Sequence, residues 1–302
     1  MSKFRRIGNS VLLLVLLGFA LATSAQADSR AECRSVPSKI LASAVSYCAF
    51  LPPSYDVDKS RQYPILYFLH GLGENAQILL DSGGWNLIQD LRQQKEIGDF
   101  VIVTPSAGRS FYINSLNGRV RYEDFFIKEF IPYIENHYRI EANRRHRGIM
   151  GISMGGYGAL RMAFHFPDLF GSVSAHSAAL IEKLPPAQGQ TPQAENLARL
   201  VGSAFGSPLN RGFWDRNNPF TLVRNGARPA HLQIYFDCGT EDQFGFDVGA
   251  QAFHTLLAAK GIAHEFHLYP GGHDWSHFTE HFPASLAFES RAFGLSAHEA
   301  GN

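Results

Sequence analysis

Nothing in this chain is built to hold nucleic acid. Its 27 Lys and Arg are matched by 27 Asp and Glu, and no basic block is dense enough to neutralise a phosphate backbone; Arg144-Arg145-His146-Arg147 reads as a solvated turn. Long hydrophobic runs are also missing. A membrane-spanning helix needs about 20 apolar residues, whereas the run from Val11 to Ala22 covers 12. That run lies behind Lys3, Arg5 and Arg6 and ahead of Ala25-Gln26-Ala27, the order of basic head, apolar segment and small-residue cleavage site found in secretory signals. Residues 1–27 are therefore expected to be a leader cut after Ala27, with the mature protein secreted or periplasmic and free of stable membrane insertion. Without the leader the balance is 24 basic against 27 acidic residues, a net charge near −3. No internal repeat or low-complexity tract appears, which excludes a solenoid or array. Cysteine is scarce, with only Cys33, Cys48 and Cys238. In an oxidising compartment Cys33 and Cys48 either pair across the first hairpin or stay as buried thiols; spacing alone does not choose, and Cys238 is left over.

What the chain does have is apolar bulk. It is 45% hydrophobic with 24 Phe and 11 Tyr, ample for one aromatic-rich core, and residues 28–302 are expected to form a single catalytic domain. An opening hairpin is predicted between Glu32 and Leu51, ended by Pro52-Pro53. Near-continuous apolar runs follow at Tyr63 to Leu69 and Asp99 to Thr104, as expected of parallel strands covered on both faces. Further strands are predicted over residues 147–152, 170–176, 231–237 and 264–269. Helical patterning separates them, including an amphipathic segment near Leu87 to Gln94 and a helix from about Tyr122 to Tyr138. The alternation predicts an α/β fold, a mostly parallel sheet with helices on both faces. Residues 179–230 break the scheme with Pro185-Pro186, Asn217-Asn218-Pro219 and exposed-looking Phe205, Phe213, Trp214 and Phe220. They form either a cap over the site or a packed excursion.

Chemistry concentrates at Gly151-Ile152-Ser153-Met154-Gly155. This is a G-x-S-x-G pentapeptide between an apolar strand and a helical pattern, the setting of a nucleophile elbow. A serine hydroxyl needs a base and an acid to orient that base. His273 follows the last strand in a glycine-rich loop, and Asp242 lies past the glycine turn after the strand at 231–237; Asp237 and Glu241 are its rivals. The order Ser153, Asp242, His273 is that of α/β-hydrolases. Oxyanion donors are expected at the backbone N–H of Met154, next to the serine, and of Leu72, in His70-Gly71-Leu72-Gly73 after the third strand. His70 itself is read as structural. A second pattern, His273, His277 and His281 at i, i+4, i+8 with Glu280 nearby, has the spacing of a zinc site. Gly271-Gly272 puts His273 ahead of the helix, however, so neither a metal nor any other cofactor is expected.

Four motifs together, His70-Gly71-Leu72-Gly73, Gly151 to Gly156, Asp237 to Phe244 and Gly271-Gly272-His273-Asp274-Trp275, resemble the esterase family of S-formylglutathione hydrolase, feruloyl and acetyl xylan esterases, and mycolyltransferases, across roughly Cys33 to Phe293. The resemblance implies the α/β-hydrolase fold, Asp242 as the acid, and Leu72 and Met154 as donors. Ser110-Phe111-Tyr112 looks like a site-bordering segment of the mycolyltransferases, so Tyr112 and Trp275 are the expected substrate contacts. The expected activity is a secreted serine carboxylesterase acting on small-molecule or carbohydrate esters of short-chain or aromatic acids. The alternatives are acyl transfer to a sugar hydroxyl, a thioesterase of the S-formylglutathione hydrolase type, which export argues against, and a silent binding protein on the same scaffold.

Overall fold

The computed structural model describes residues 29–184, 192–226 and 231–295. The expected leader, residues 185–191 of the insertion, and residues 227–230 lie outside the described residues. Eight strands form one sheet: β1 (Arg30–Ser38), β2 (Ser43–Leu51), β3 (Ile65–Leu69), β4 (Val101–Pro105), β5 (Arg147–Ile152), β6 (Ser172–His176), β7 (Gln233–Gly239) and β8 (Glu265–Tyr269), in the order β1-β2-β4-β3-β5-β6-β7-β8. The pairs among β3 to β8 are all parallel, and only β2 runs against the sheet, antiparallel to both β1 and β4. This is the α/β-hydrolase arrangement that the sequence predicts.

The apolar runs work because period-two alternation feeds both faces of the sheet. Ile65, Tyr67 and Leu69 of β3 join one core with the helical stretch 122–137 and the helix Met154–His165. Leu66 and Phe68 join another core, with the helices Gly84–Gln93 and Trp275–Ala292. Strand limits follow local chemistry. Tyr63 is predicted in the third strand, but Pro64 has no N–H to offer. The N–H of Tyr63 instead donates to Arg139 O at 2.9 Å. The helix over residues 122–137 includes a π-helical turn at Phe126–Phe130.

Cys33 and Cys48 face each other across β1 and β2 and are joined by a disulfide, while Cys238 is a buried thiol. The insertion differs from its expected appearance. Phe205, Trp214 and Phe220 are buried, because the helices Pro192–Phe205, Arg211–Asn217 and Pro219–Arg224 turn their aromatics onto the elbow helix and its neighbours. Burial of these large rings makes the described part of the insertion a packed layer of helices.

Candidate active site

Parallel strands share their carboxyl ends, so residues that follow β3, β5, β7 and β8 meet at one rim. Ser153 caps the helix that follows β5 at φ 53° and ψ −116°, a conformation that costs a non-glycine residue strain and is held by its surroundings. Its N–H donates to His176 O at 2.9 Å, and its carbonyl accepts the N–H groups of Tyr157 and Ala179, each at 3.0 Å. The flanking glycines leave no room for a side chain. A Cβ on Gly155 would sit 1.9 Å from Leu69 O, and one on Gly151 would sit 2.4 Å from the Gly155 carbonyl carbon.

The acid and the histidine come from two loops stitched together. Thr240 N–H donates to Tyr269 O at 2.8 Å and Glu241 N–H to Gly271 O at 2.9 Å. The close approach needs Gly239, whose Cβ would fall 2.4 Å from Gly271 O. The result is a hydrogen bond from His273 Nδ1–H to Asp242 Oδ2 at 2.7 Å, which leaves Nε2 as the basic nitrogen. Asp242 Oδ1 accepts Phe244 N–H at 2.9 Å. Burial pushes the Asp242 carboxyl up, but the His273 hydrogen bond and charge and the N–H groups of Phe244 and Phe246 together bring it below the ordinary carboxylate value. Edge contacts from Phe244, Phe246 and Phe278 surround the imidazole.

The rival acids are elsewhere occupied or turned away. Asp237 is buried against His176, and Glu241 is exposed. Ser153 and His273 line the same cavity. No hydrogen bond joins their side chains among the described residues; such contacts are commonly loose until substrate closes them. Leu72 and Met154 line that cavity too. Met154 N–H heads its helix, so it lacks an intrahelical acceptor. His70 is structural as expected. Its Nε2 accepts Ala107 N–H at 2.9 Å, so Nδ1 bears the proton and donates to Gly71 O at 2.7 Å. Burial lowers its pKa to about 4 and keeps the ring neutral.

Trp275, expected to contact substrate, lines the cavity. Tyr112 does not. It is fully buried behind the site, its hydroxyl donating to His70 O at 3.0 Å and its ring filling the space over Gly158. The neighbouring Phe111 lines the cavity instead: successive residues of this left-handed turn point in different directions. Of the zinc pattern, His277 and His281 sit on the helix Trp275–Ala292 and His273 precedes it. No group of three or more potential ligands for a metal converges among the described residues.

The cavity holds about 840 Å³, within the range of small-molecule sites. Its walls are mostly apolar, with Leu180, Val201 and Trp214 from the insertion facing Phe244, Phe246 and Val248 beside the acid loop. The insertion is thus part of the site wall. Sequence reasoning took Tyr112 in place of Phe111 from the segment Ser110-Phe111-Tyr112, and gave no role to Glu74 or to the pair Phe244 and Phe246. The last two stand within four residues of Asp242, and that proximity was the signal available for them.

A family profile, Esterase ("Putative esterase"), matches residues 38–288. An esterase of Mycobacterium tuberculosis, Rv1288, is 32% identical over 250 residues, covering 74% of this chain and 51% of its own length. The chain thus spans about half the length of that curated relative. An acetyl esterase of Caldicellulosiruptor saccharolyticus is 28% identical over 242 residues, covering 78% of this chain and 86% of its own. The solved structure of a ferulic acid esterase superposes with a TM-score of 0.73 at 28% identity, over 88% of this chain and 99% of that one.

Proposed function

From the premise that this chain belongs to the esterase family, we propose that it is a serine carboxylesterase working through an acyl-Ser153 intermediate. The observation that carries the reading is the His273–Asp242 hydrogen bond of 2.7 Å, made at a cavity that also exposes the elbow serine. In the proposed mechanism Nε2 of His273 takes the Ser153 proton as Oγ attacks the ester carbonyl, and Asp242 holds the tautomer and steadies the imidazolium. The N–H groups of Leu72 and Met154 receive the negative charge that develops on the carbonyl oxygen. Collapse breaks the bond to the alcohol, which leaves with the proton from His273. A water molecule, activated by the same ring, then hydrolyses the acyl-enzyme.

The substrates we propose are esters of short-chain or aromatic acids, carbohydrate-linked ones of acetyl or feruloyl type included. The apolar walls support an uncharged acyl group, and the acetyl and ferulic acid esterases among the similar proteins support the class. Residues 28–302 are read as one catalytic domain, with export by the leader expected from residues 1–27. Turnover of p-nitrophenyl acetate and butyrate by wild type and Ser153→Ala tests the reading. Loss of nearly all turnover in the variant is expected, and equal rates would overturn it.

A further inference from the structure

Two successive peptide units precede the Leu72 side chain, and three of their four polar groups are tied down. In the first unit, His70 O accepts the Tyr112 hydroxyl at 3.0 Å, and Gly71 N–H donates to Glu74 Oε2 at 2.6 Å. In the second, Gly71 O accepts His70 Nδ1–H at 2.7 Å. The fourth group, Leu72 N–H, has no hydrogen-bond partner among the described residues and belongs to a residue on the cavity wall. Because a trans peptide is planar, with its C=O and N–H pointing opposite ways, pinning Gly71 O sets the direction of Leu72 N–H.

Glu74 reaches further than this loop. Its second oxygen, Oε1, accepts Trp275 Nε1–H at 2.7 Å, and Trp275 opens the helix that follows the His273 loop. One half-buried carboxylate therefore joins the loop after β3 to the loop after β8. The arrangement calls for an acceptor-only group with two oxygens. Burial raises the Glu74 pKa, while the hydrogen bonds from Trp275 and Gly71 and the charge of His273 pull it back. Gly71 is suited to its place, since a Cβ there would come within 3.1 Å of Glu74 Oε2.

We propose that Glu74 is a positioning residue for the oxyanion site, aligning Leu72 N–H through the Gly71 peptide and, through Trp275, keeping that donor in register with the His273 loop. The proposal rests on the acyl-serine reading above and adds to it a residue of the cavity wall that acts through the Gly71 peptide and Trp275. Glutamine at position 74 would present an NH₂ group to one of the two N–H donors whichever way it turned. Alanine would leave both donors unpaired.

The test measures kcat and KM on p-nitrophenyl butyrate for wild type, Glu74→Gln, Trp275→Phe and the double variant, with thermal melts to establish that each is folded. It adds inhibition by an alkyl trifluoromethyl ketone, which forms a tetrahedral adduct and so uses the oxyanion donors. Expected is a fall in kcat of roughly tenfold to a hundredfold for Glu74→Gln, below the ~10²–10³ that follows loss of a donor itself. KM should stay within about twofold, and the ketone should weaken by the same factor as kcat/KM. The double variant should be little worse than the poorer single one, since each breaks the same brace. An unchanged kcat in folded Glu74→Gln, multiplicative losses in the double variant, or ketone affinity that does not follow kcat/KM would each overturn the proposal. If wild type itself turned over no ester, the acyl-serine reading would fail first, and the two failures are distinguishable.

Discussion

His176 Nδ1 lies 3.0 Å from Asp237 Oδ1 in the closed interior, with Tyr235 OH donating to Oδ2 at 2.9 Å and Ser285 Oγ 2.8 Å from His176 Nε2. A serine, a histidine and an aspartate are thus hydrogen-bonded in the core, apart from the Ser153, His273 and Asp242 that share the cavity rim. In the buried set both side chains of the His176–Asp237 pair have no exposure, so no substrate reaches them. The set instead steadies the strand ends beneath the elbow, where the His176 carbonyl accepts Ser153 N–H and the Asp237 carbonyl accepts Ser177 N–H, each at 2.9 Å. Five residues farther on, Asp242 is free to reach the rim.

Asp242→Asn keeps the size of the side chain but places a donor or a weaker acceptor against His273. Under the proposed mechanism, and by analogy with Ser-His-Asp enzymes, kcat should fall by about 10³ to 10⁴. Asp237→Asn should instead act on stability, because its neighbours are sealed in the core. Steady-state kinetics beside thermal melts would separate the two, and a larger kcat loss at Asp237 than at Asp242 would contradict this assignment.

Gly155→Ala should prevent or severely impair folding. Its new methyl would need to pass within 1.9 Å of a main-chain oxygen on β3, and neither backbone can yield without breaking the sheet or the elbow. Soluble yield and the far-UV spectrum would check this. A variant with wild-type stability would show the elbow to be looser than described.

The disulfide between Cys33 and Cys48 closes a loop of 15 residues at the edge of the sheet. Chain-entropy arguments give such a closure about 3 kcal/mol. A Cys33→Ser/Cys48→Ser variant should melt several degrees lower while its kcat/KM at 25 °C is preserved, since β1 lies far from the rim in the strand order. Equal melting temperatures with and without the bond would refute the estimate.

Glu289 is wholly buried, where its carboxyl is shared by the Ser172 and Ser174 hydroxyls. Burial raises its pKa to about 7, against the lowering effect of the two serines. The folded protein therefore holds this proton more tightly than the unfolded chain. Its contribution is fully present below about pH 4.5 and lost as pH rises through about 7, at most on the order of 3 kcal/mol. His70, depressed to about 4, has the opposite sign and loses its contribution as pH falls from about 6.5 toward 4. Denaturant melts of wild type and Glu289→Gln across pH 5 to 8 should show the variant gaining on wild type as pH rises. A constant difference would show that Glu289 does not titrate there.

Phe244 and Val248 are 54% and 70% exposed although both are apolar, and they stand at the cavity beside His273. Large exposed apolar groups at a pocket mouth point to contact with substrate. Phe244→Ser should raise KM severalfold for an aromatic acyl ester such as methyl ferulate and leave p-nitrophenyl acetate nearly unchanged. A parallel change for both esters would assign Phe244 to packing alone.

Much of the architecture was legible in local chemistry. Buried parallel strands announce themselves as unbroken apolar runs. The elbow announces itself through glycines that steric necessity places two residues on either side of Ser153, and His273 and Asp242 could be proposed because each follows a strand at the same end of the sheet. Other features depend on contacts far apart in the chain. The glycine turn before Asp242 favours it over Asp237 as a partner for His273, but what commits Asp237 elsewhere is the core, which takes its carboxylate for His176. Nor does an apolar dipeptide reveal that Phe111 faces the cavity while Tyr112 turns inward to His70. Glu74 meets Trp275, which lies 201 positions farther along the chain, and the Cys33–Cys48 pairing waited on hairpin register. Local sequence determined which elements form and which end of the sheet carries chemistry, since propensity, alternation and steric limits act over a few residues. Tertiary packing decided which acid, which ring and which carboxylate take part, because burial and hydrogen-bond satisfaction are settled only when distant segments meet.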